Sequence, residues 1–304
     1  MRLSVLIPTY NYDCTQLVAQ LKEQLSDDDE IIVGNDNSSD KEILEKLYAL
    51  ENLDKCRIYC PNQREEGARP IGRAAIRNTL AREAQGRWLL FIDADAEVSS
   101  KSFIENYIAA TAQANVICGG TGNLPECPRP EAKLRYNYEV SVERRLTLPK
   151  RQSMPYAQFT TFNFLIRRDI FLSICFDENL HEYGHEDTAF GLELQKRAID
   201  VLHICNKLTH LGIENADIYL AKTETALRTL ASLDICRRKH MRVSAFSMKL
   251  EHYGLLGVVH LLYKVTRPLL RSNLLGKHPS QVVFTFYKLG YFTDIIRSSR
   301  MSSH

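Results

Sequence analysis

The sequence predicts an α/β fold in which a mostly parallel sheet carries helices on both faces. Through the first 93 residues, short and continuously apolar segments alternate with segments of helical periodicity. Strands that are apolar throughout, without alternating polar residues, are typical of parallel sheets that are buried on both faces. Ligands of such sheets bind beyond the carboxyl ends of the strands, so the turns that follow the strands are where a site is expected.

The elements of the first half follow directly from this alternation. The predicted strands are 3–9, 30–36, 56–60 and 87–93, and the predicted helices are 15–25, 41–51 and 72–86. Ser39 or Asp40 is expected to cap the second helix, because a side-chain oxygen there can accept a free amide hydrogen of the first turn. Gly86 is expected to end the third helix.

The second half is less regular. A helix is predicted for 131–146, strands for 159–168 and 201–205, and another helix after the turn at Gly184. From Asn215 onward the pattern is helical almost throughout. Breaks are expected near Pro268 and Pro279, because proline lacks the amide hydrogen that a helix interior uses.

Charge is distributed unevenly along a chain whose formal net charge is only +2. From Arg237 to the end there are 12 Lys and Arg residues but only two acidic residues, Glu251 and Asp294. The preceding residues carry 27 basic and 35 acidic side chains. This asymmetry between an acidic body and a basic tail suggests an anionic partner for the tail.

Other features narrow the class of protein. The eight cysteines show no CxxC pairing, which argues against a zinc site and favours reduced thiols. The longest apolar run, 253–263, is too short to cross a bilayer, and no signal peptide is apparent. These features predict a cytoplasmic location.

The segment WLLFIDADAEV, residues 88–98, ends a predicted strand in acidic side chains. Asp93 and Asp95 are alternate residues, which point to the same side of an extended chain. Carboxylates so placed repel each other unless a cation lies between them, and their hard oxygens suit Mg²⁺ or Mn²⁺. An exposed acidic loop without a metal is the alternative.

Five segments, in chain order, together resemble a known family: MRLSVLIPTYN, EIIVGNDNSSD, GRAAIRN, LLFIDAD and YGHEDTAFGLEL. Over about residues 1–230 the chain resembles the inverting family-2 glycosyltransferases of the GT-A fold. The resemblance thus implies a catalytic domain over 1–230, followed by a basic helical extension over 231–304. The resemblance implies a nucleotide-sugar donor, with a UDP-sugar favoured, and a saccharide or polyprenyl-linked acceptor hydroxyl. It also implies Mn²⁺ or Mg²⁺ to stabilise the leaving diphosphate, and a role in cell-surface polysaccharide synthesis.

The resemblance also implies roles for individual residues. Donor-nucleotide contacts fall on Pro8, Thr9, Tyr10, Asp36, Arg77 and Asp93. Without the resemblance, Asp36 lies in an ordinary polar turn, and Arg77 lies on a solvated helix face.

The metal ligands implied are Asp95 and His210, and the general base implied is Asp187, which would take the proton of the acceptor hydroxyl. Asn163 and Glu186 are expected near the sugar or the acceptor. The alternatives are a structural histidine and a pair of acids that favour the first turn of a helix.

Rival functions lack their own motifs. No glycine-rich loop follows the first strand, which argues against a nucleotidyltransferase and against a nicotinamide-dependent dehydrogenase. A nucleotide-sugar-binding protein without catalysis stays open as the alternative. The basic extension contains no recognisable nucleic-acid-binding module, and it fits either an anionic membrane surface or packing against the acidic body.

Overall fold

A computed structural model describes residues 2–61, 69–179, 184–239 and 241–301 of the chain. The chain forms two compact units. Unit 1 comprises Met1–Leu124, Glu143–His181 and Glu186–Gly212, and unit 2 comprises Pro125–Val142, Glu182–His185 and Ile213–His304. The predicted domain boundary at residue 230 stays a prediction.

The strands and helices are numbered here in chain order. The strands are β1 (Leu3–Thr9), β2 (Glu30–Asn35), β3 (Cys56–Tyr59), β4 (Trp88–Ile92), β5 (Ala96–Glu97), β6 (Val116–Cys118), β7 (Thr121–Asn123), β8 (Asn163–Arg167), β9 (Val201–His203) and β10 (Leu208–His210). The helices are α1 (Thr15–Lys22), α2 (Lys41–Ala49), α3 (Arg73–Glu83), α4 (Phe103–Ala110), α5 (Lys133–Arg145), α6 (Leu148–Gln152), α7 (Arg168–Ile174), α8 (Glu186–Lys196), α9 (Ala216–Ser232), α10 (Ile235–Arg238), α11 (Arg242–His252), α12 (Leu256–Leu274) and α13 (Gln281–Met301).

Unit 1 is built on a sheet with the strand order β3-β2-β1-β4-β8-β6-β9. β3, β2, β1 and β4 pair in parallel, as the sequence predicts, and β8 is antiparallel to both of its neighbours. A second, three-stranded sheet has the order β5-β10-β7. Its strand β5 follows β4 directly in the chain, so the acidic turn at 93–95 connects the two sheets.

Apolar side chains cover both faces of the large sheet, which confirms the predicted layers. Val5 and Ile7 of β1 pack in one cluster with residues of α1, α2 and α4. Leu6, which points the other way, packs in a second cluster with residues of α3, α7 and α8. Alternate residues of a single strand therefore enter two different cores, which explains why the strand sequences are apolar throughout.

Two details at the ends of helices concern the predicted caps. The Asp40 carboxylate accepts the amide hydrogen of Ile43 at 3.2 Å, which confirms Asp40 as the cap of α2. The expectation that Gly86 ends the third helix is wrong, because α3 ends at Glu83 and its cap, Ala84, is extended. Gly86 instead passes close to β1, where a Cβ would lie 2.5 Å from the Ser4 nitrogen.

Unit 2 is helical. Its apolar clusters combine residues of α9, α12 and α13, and none of its described helices is long and apolar enough to span a membrane. The break expected near Pro279 is present between α12 and α13, but the break expected near Pro268 is wrong because α12 continues through it. Tyr263 and Leu274, buried on either side of that proline, hold α12 against its neighbours.

Candidate active site

The carboxyl ends of β1 and β2 bring the first predicted site residues together. Thr9 is the register partner of Asn35, and the Asp36 amide donates to the Thr9 carbonyl at 2.8 Å. Thr9 is buried and its hydroxyl donates to the Tyr12 carbonyl at 2.9 Å, whereas Tyr10 is half-exposed. Pro8 is the penultimate residue of β1. Its ring and the polar backbone of this turn therefore lie together at the carboxyl edge of the sheet.

Asp36 is buried at this edge and holds the chain that leads into α3. Its two carboxylate oxygens accept the amide hydrogens of Ile71 at 2.7 Å and Gly72 at 3.0 Å. Burial raises the pKa of the Asp36 carboxyl, although both hydrogen bonds lower it. The start of α3 is thus fixed by the end of β2.

Arg77 of α3 is buried rather than solvated. Its Nη2 donates to Asp93 Oδ1, and its Nη1 donates to the carbonyl oxygen of Arg73 at 3.0 Å. Within the described residues, Nε of Arg77 is buried without a hydrogen-bond partner. The buried guanidinium of Arg77 therefore offsets the negative charge of Asp93 in the acidic turn.

Arg73 connects this turn to a distant helix. Its Nε donates to Glu186 Oε1 at 3.0 Å, and its Nη2 lies 3.6 Å from Asp93 Oδ2. No separate role is predicted for Arg73 from sequence, although it lies one helical turn before Arg77 on the same face of the helix. One side chain thus joins the acidic turn after β4 to the first turn of α8.

The pKa values of Glu186 and Asp187, the two acidic residues at the start of α8, are shifted in opposite directions. Burial raises the pKa of Glu186, but the guanidinium groups of Arg73 and Arg77 outweigh it, so the pKa lies below the usual value. Burial of the Asp187 carboxyl, together with the negative charge of Glu186, raises the pKa of Asp187 to about 7. A carboxylate with a pKa near neutrality is well matched to general base catalysis.

Asp95 and His210 are brought together by strand pairing. β5 and β10 are antiparallel, and His210 lies opposite Ala96. Asp95, the residue before Ala96, is therefore a close neighbour of His210. Nε2 of His210 lies 3.1 Å from Asp95 Oδ2, and the Leu211 amide donates to the Asp95 carbonyl at 2.8 Å. Gly212 permits this approach, because a Cβ there would lie 2.0 Å from Asp95 Oδ2.

The chemistry of this pair fits a divalent cation. A carboxylate oxygen and an imidazole nitrogen are both ligands that Mn²⁺ accepts. The described residues contain no group of three His, Cys, Asp or Glu side chains arranged to hold a metal. The protein would therefore supply a minority of the ligands, and a bound diphosphate and water would supply the others.

Asn163 lies in a buried network at the start of β8. Its side-chain oxygen accepts the Tyr107 hydroxyl at 2.6 Å, and its amide donates to the carbonyls of Gly120 at 3.2 Å and Asn206 at 2.8 Å. This network fixes the strands beneath the site. A contact between Asn163 and a sugar stays a prediction.

The mostly parallel sheet, with the acidic turn and the arginines at its carboxyl edge, has the architecture of the GT-A fold. Residues 4–174 match the family described as Glycosyl transferase family 2. The chain belongs to that family.

Three known proteins illustrate the similarity. An uncharacterized glycosyltransferase of Haemophilus influenzae is 26% identical over 185 residues, which cover 57% of this chain and 55% of that protein. The mannosyltransferase PcManGT of Pyrobaculum calidifontis, solved with GDP-Man and Mn²⁺, has a TM-score of 0.59 at 13% identity and covers 99% of this chain and 87% of its own. TarS 1–349 of S. aureus, solved with UDP-GlcNAc, has a TM-score of 0.52 at 16% identity, with 99% and 92% covered. At these identities the two structures show a common fold.

Proposed function

We propose that this chain is a metal-dependent inverting glycosyltransferase that moves a sugar from a nucleotide-sugar donor to an acceptor hydroxyl. One observation carries the proposal. Arg73 contacts both Asp93, at the acidic turn, and Glu186, the neighbour of Asp187. The two ends of an inverting displacement, the leaving diphosphate and the base on the acceptor side, would then be held by one side chain.

At the donor end, we propose that the diphosphate lies between the Asp95–His210 pair and the guanidinium of Arg77. The guanidinium groups of Arg73 and Arg77 both approach Asp93 at the acidic turn, and this concentration of positive charge supports an anion at this place. When bound, Mn²⁺ or Mg²⁺ supplies Lewis-acid stabilisation of the negative charge that develops on the leaving group. PcManGT, of the same fold, was solved with Mn²⁺.

At the acceptor end, we propose that Asp187 removes the proton of the attacking hydroxyl. Its pKa of about 7 means that a large fraction is ionised at neutral pH while the carboxylate remains basic enough to accept a proton. Glu186 stays ionised beside Arg73 and maintains the negative charge that raises the pKa of Asp187.

The donor base and the acceptor are proposed on broader grounds. A UDP-sugar is favoured by the resemblance of the sequence motifs, and the similar folds include one protein solved with UDP-GlcNAc and one with GDP-Man. We propose a saccharide or polyprenyl-linked acceptor in cell-surface polysaccharide synthesis. The enzyme would work in the cytoplasm, with peripheral attachment to the inner face of the membrane.

Calorimetric titration with UDP, GDP and dTDP, each with and without Mn²⁺, tests the donor site. We expect one nucleotide to bind the wild type only when the cation is present, and Mn²⁺ to give no gain in nucleotide binding to Asp95→Ala. Asp200→Asn is the matched control, because Asp200 is exposed and precedes β9, at the amino-terminal edge of the sheet. Cation-independent binding in the wild type would contradict the metal role. Binding without any release of nucleoside diphosphate from the corresponding nucleotide sugars would favour a non-catalytic binding protein.

A further inference from the structure

Exposed apolar side chains are concentrated in one segment of unit 2. Of the 15 large apolar side chains that are exposed among the described residues, 12 lie between Ile235 and Val282. Isolated exposed apolar residues are ordinary on protein surfaces, but a contiguous group marks an interaction surface. We therefore expect this segment to bind a partner.

The centre of the group is a stripe along α12. Its members recur at helical spacing and so share one side of the helix: Val258 (54% exposed), Leu261 (63%), Leu262 (50%), Val265 (71%) and Leu269 (73%). All five are aliphatic. We call this set the α12 stripe.

The opposite side of α12 is already occupied. Leu256, Tyr263 and Leu274 are buried there, and the Tyr263 ring packs against the Tyr287 ring of α13 with 5.6 Å between centroids. At 100° per residue, these buried positions lie roughly opposite the α12 stripe. The helix thus has two apolar sides, and folding of unit 2 buries one of them.

The net charge of the segment that carries the α12 stripe favours one class of partner over another. Residues 235–282 contain nine Lys and Arg residues and a single acidic residue, Glu251. A second copy of the chain would bring the same positive charge to the interface, which like-charge repulsion disfavours. An anionic lipid surface satisfies both features, since basic side chains attract its headgroups and aliphatic side chains enter the acyl boundary.

We propose that unit 2 docks on an anionic bilayer through the α12 stripe, with α12 lying in the plane of the interface. No described helix is long and apolar enough to cross a membrane, which leaves the interfacial orientation for an apolar helix side. This deepens the peripheral location proposed above by naming the surface and the lipid class. It does not depend on sugar transfer.

Tryptophan fluorescence tests the insertion in the full chain. The sole tryptophan, Trp88, is buried in β4 and provides a constant background. In Val265→Trp we expect a blue shift of emission with vesicles of phosphatidylglycerol and phosphatidylcholine, and a much smaller shift with phosphatidylcholine alone. Ile218→Trp, at an exposed apolar position of α9 outside the segment, is the matched control and is expected to show no shift. Equal shifts at both positions, or none at position 265, would overturn the proposal.

Vesicle co-sedimentation tests the energetic role of the stripe. We expect the triple variant Leu261→Ser, Val265→Ser, Leu269→Ser to lose at least about tenfold in affinity for anionic vesicles, and Ile218→Ser to bind like the wild type. The three stripe positions are all more than 60% exposed, so the fold is expected to persist, which circular dichroism checks. Unchanged binding of the triple variant overturns the proposal.

Two further measurements separate the alternatives. Light scattering that shows a wild-type dimer and a monomeric triple variant would assign the stripe to a second copy and overturn the lipid assignment. Nucleotide titration of the triple variant is expected to match the wild type. The lipid result and the donor-site result can therefore fail independently.

Discussion

Nε2 of His210 lies 3.1 Å from Oδ2 of Asp95, although 115 positions separate them in the chain. The antiparallel pairing of β5 with β10 creates this contact, and it supports the interpretation of the acidic turn as half of a cation site. Since the second sheet consists of only three short strands, the pair is sensitive to small changes in its neighbours.

Replacement of His210 by alanine is expected to weaken cation binding strongly. Changes to residues that merely support a ligand cost about 10- to 100-fold in metal affinity, so loss of a ligand should cost at least about 100-fold. The measurement is the Mn²⁺ concentration at half-maximal nucleotide binding. His203→Ala provides a comparison, because His203 is also buried in unit 1 but contacts Arg151 and Pro155. An unchanged Mn²⁺ requirement in His210→Ala would remove His210 from the site.

Gly212→Ala should mimic the loss of Asp95 without removing a carboxylate. The added Cβ would lie 2.0 Å from Asp95 Oδ2 and must displace it. We expect the folded variant to bind nucleotide no better with Mn²⁺ than without. In Gly122→Ala, on β7 of the same sheet, the nearest atom would be 3.6 Å away, and the behaviour of the wild type is expected. Wild-type cation dependence in Gly212→Ala would show that the position of Asp95 is not critical.

The pH dependence of kcat/KM reports the proposed base in the free enzyme. Asp187, with a pKa of about 7, is ionised above that pH and protonated below it. We therefore expect kcat/KM for donor turnover to fall about tenfold for each pH unit below about 6, and to level off above about 8. Asp187→Asn should abolish turnover yet retain cation-dependent nucleotide binding. Loss of that binding in Asp187→Asn would assign the residue to the donor site instead.

Removal of Arg73 is expected to move this pH profile. The Arg73 guanidinium lowers the pKa values of both Glu186 and Asp187, so Arg73→Ala should raise them and shift the acidic limb of kcat/KM to higher pH. Arg82→Ala is the control, because Arg82 is an exposed arginine of the same helix that pairs with Glu178, outside the site. A lower kcat/KM without a shift of the limb would limit Arg73 to positioning the donor.

The sheet and its carboxyl edge could be predicted from sequence because local patterns encode them. Continuous apolar runs gave β1, β2 and β4, and the register of parallel strands then brings Thr9, Asp36 and Asp93 to one edge. The contact of Arg73 with Glu186 was beyond such reasoning, since it spans 113 positions and depends on how α3 and α8 pack.

The remaining differences have equally physical causes. Pro268 was expected to break a helix, but burial of Tyr263 and Leu274 on either side stabilises α12 through it. The apolar residues of the basic extension were visible in the sequence. Periodicity alone, however, does not show which of two apolar sides of a helix is buried.

The hydrogen bonds of Asp36 constrain how donor preference can change in this protein. Its oxygens hold the amides of Ile71 and Gly72, so most replacements at position 36 release the start of α3 and with it Arg73 and Arg77. With the proposed roles of Asp36 and the two arginines, base recognition and anion binding cannot be varied separately at this residue. We therefore expect changes of base specificity to arise at positions whose side chains do not hold the backbone, of which half-exposed Tyr10 is an example.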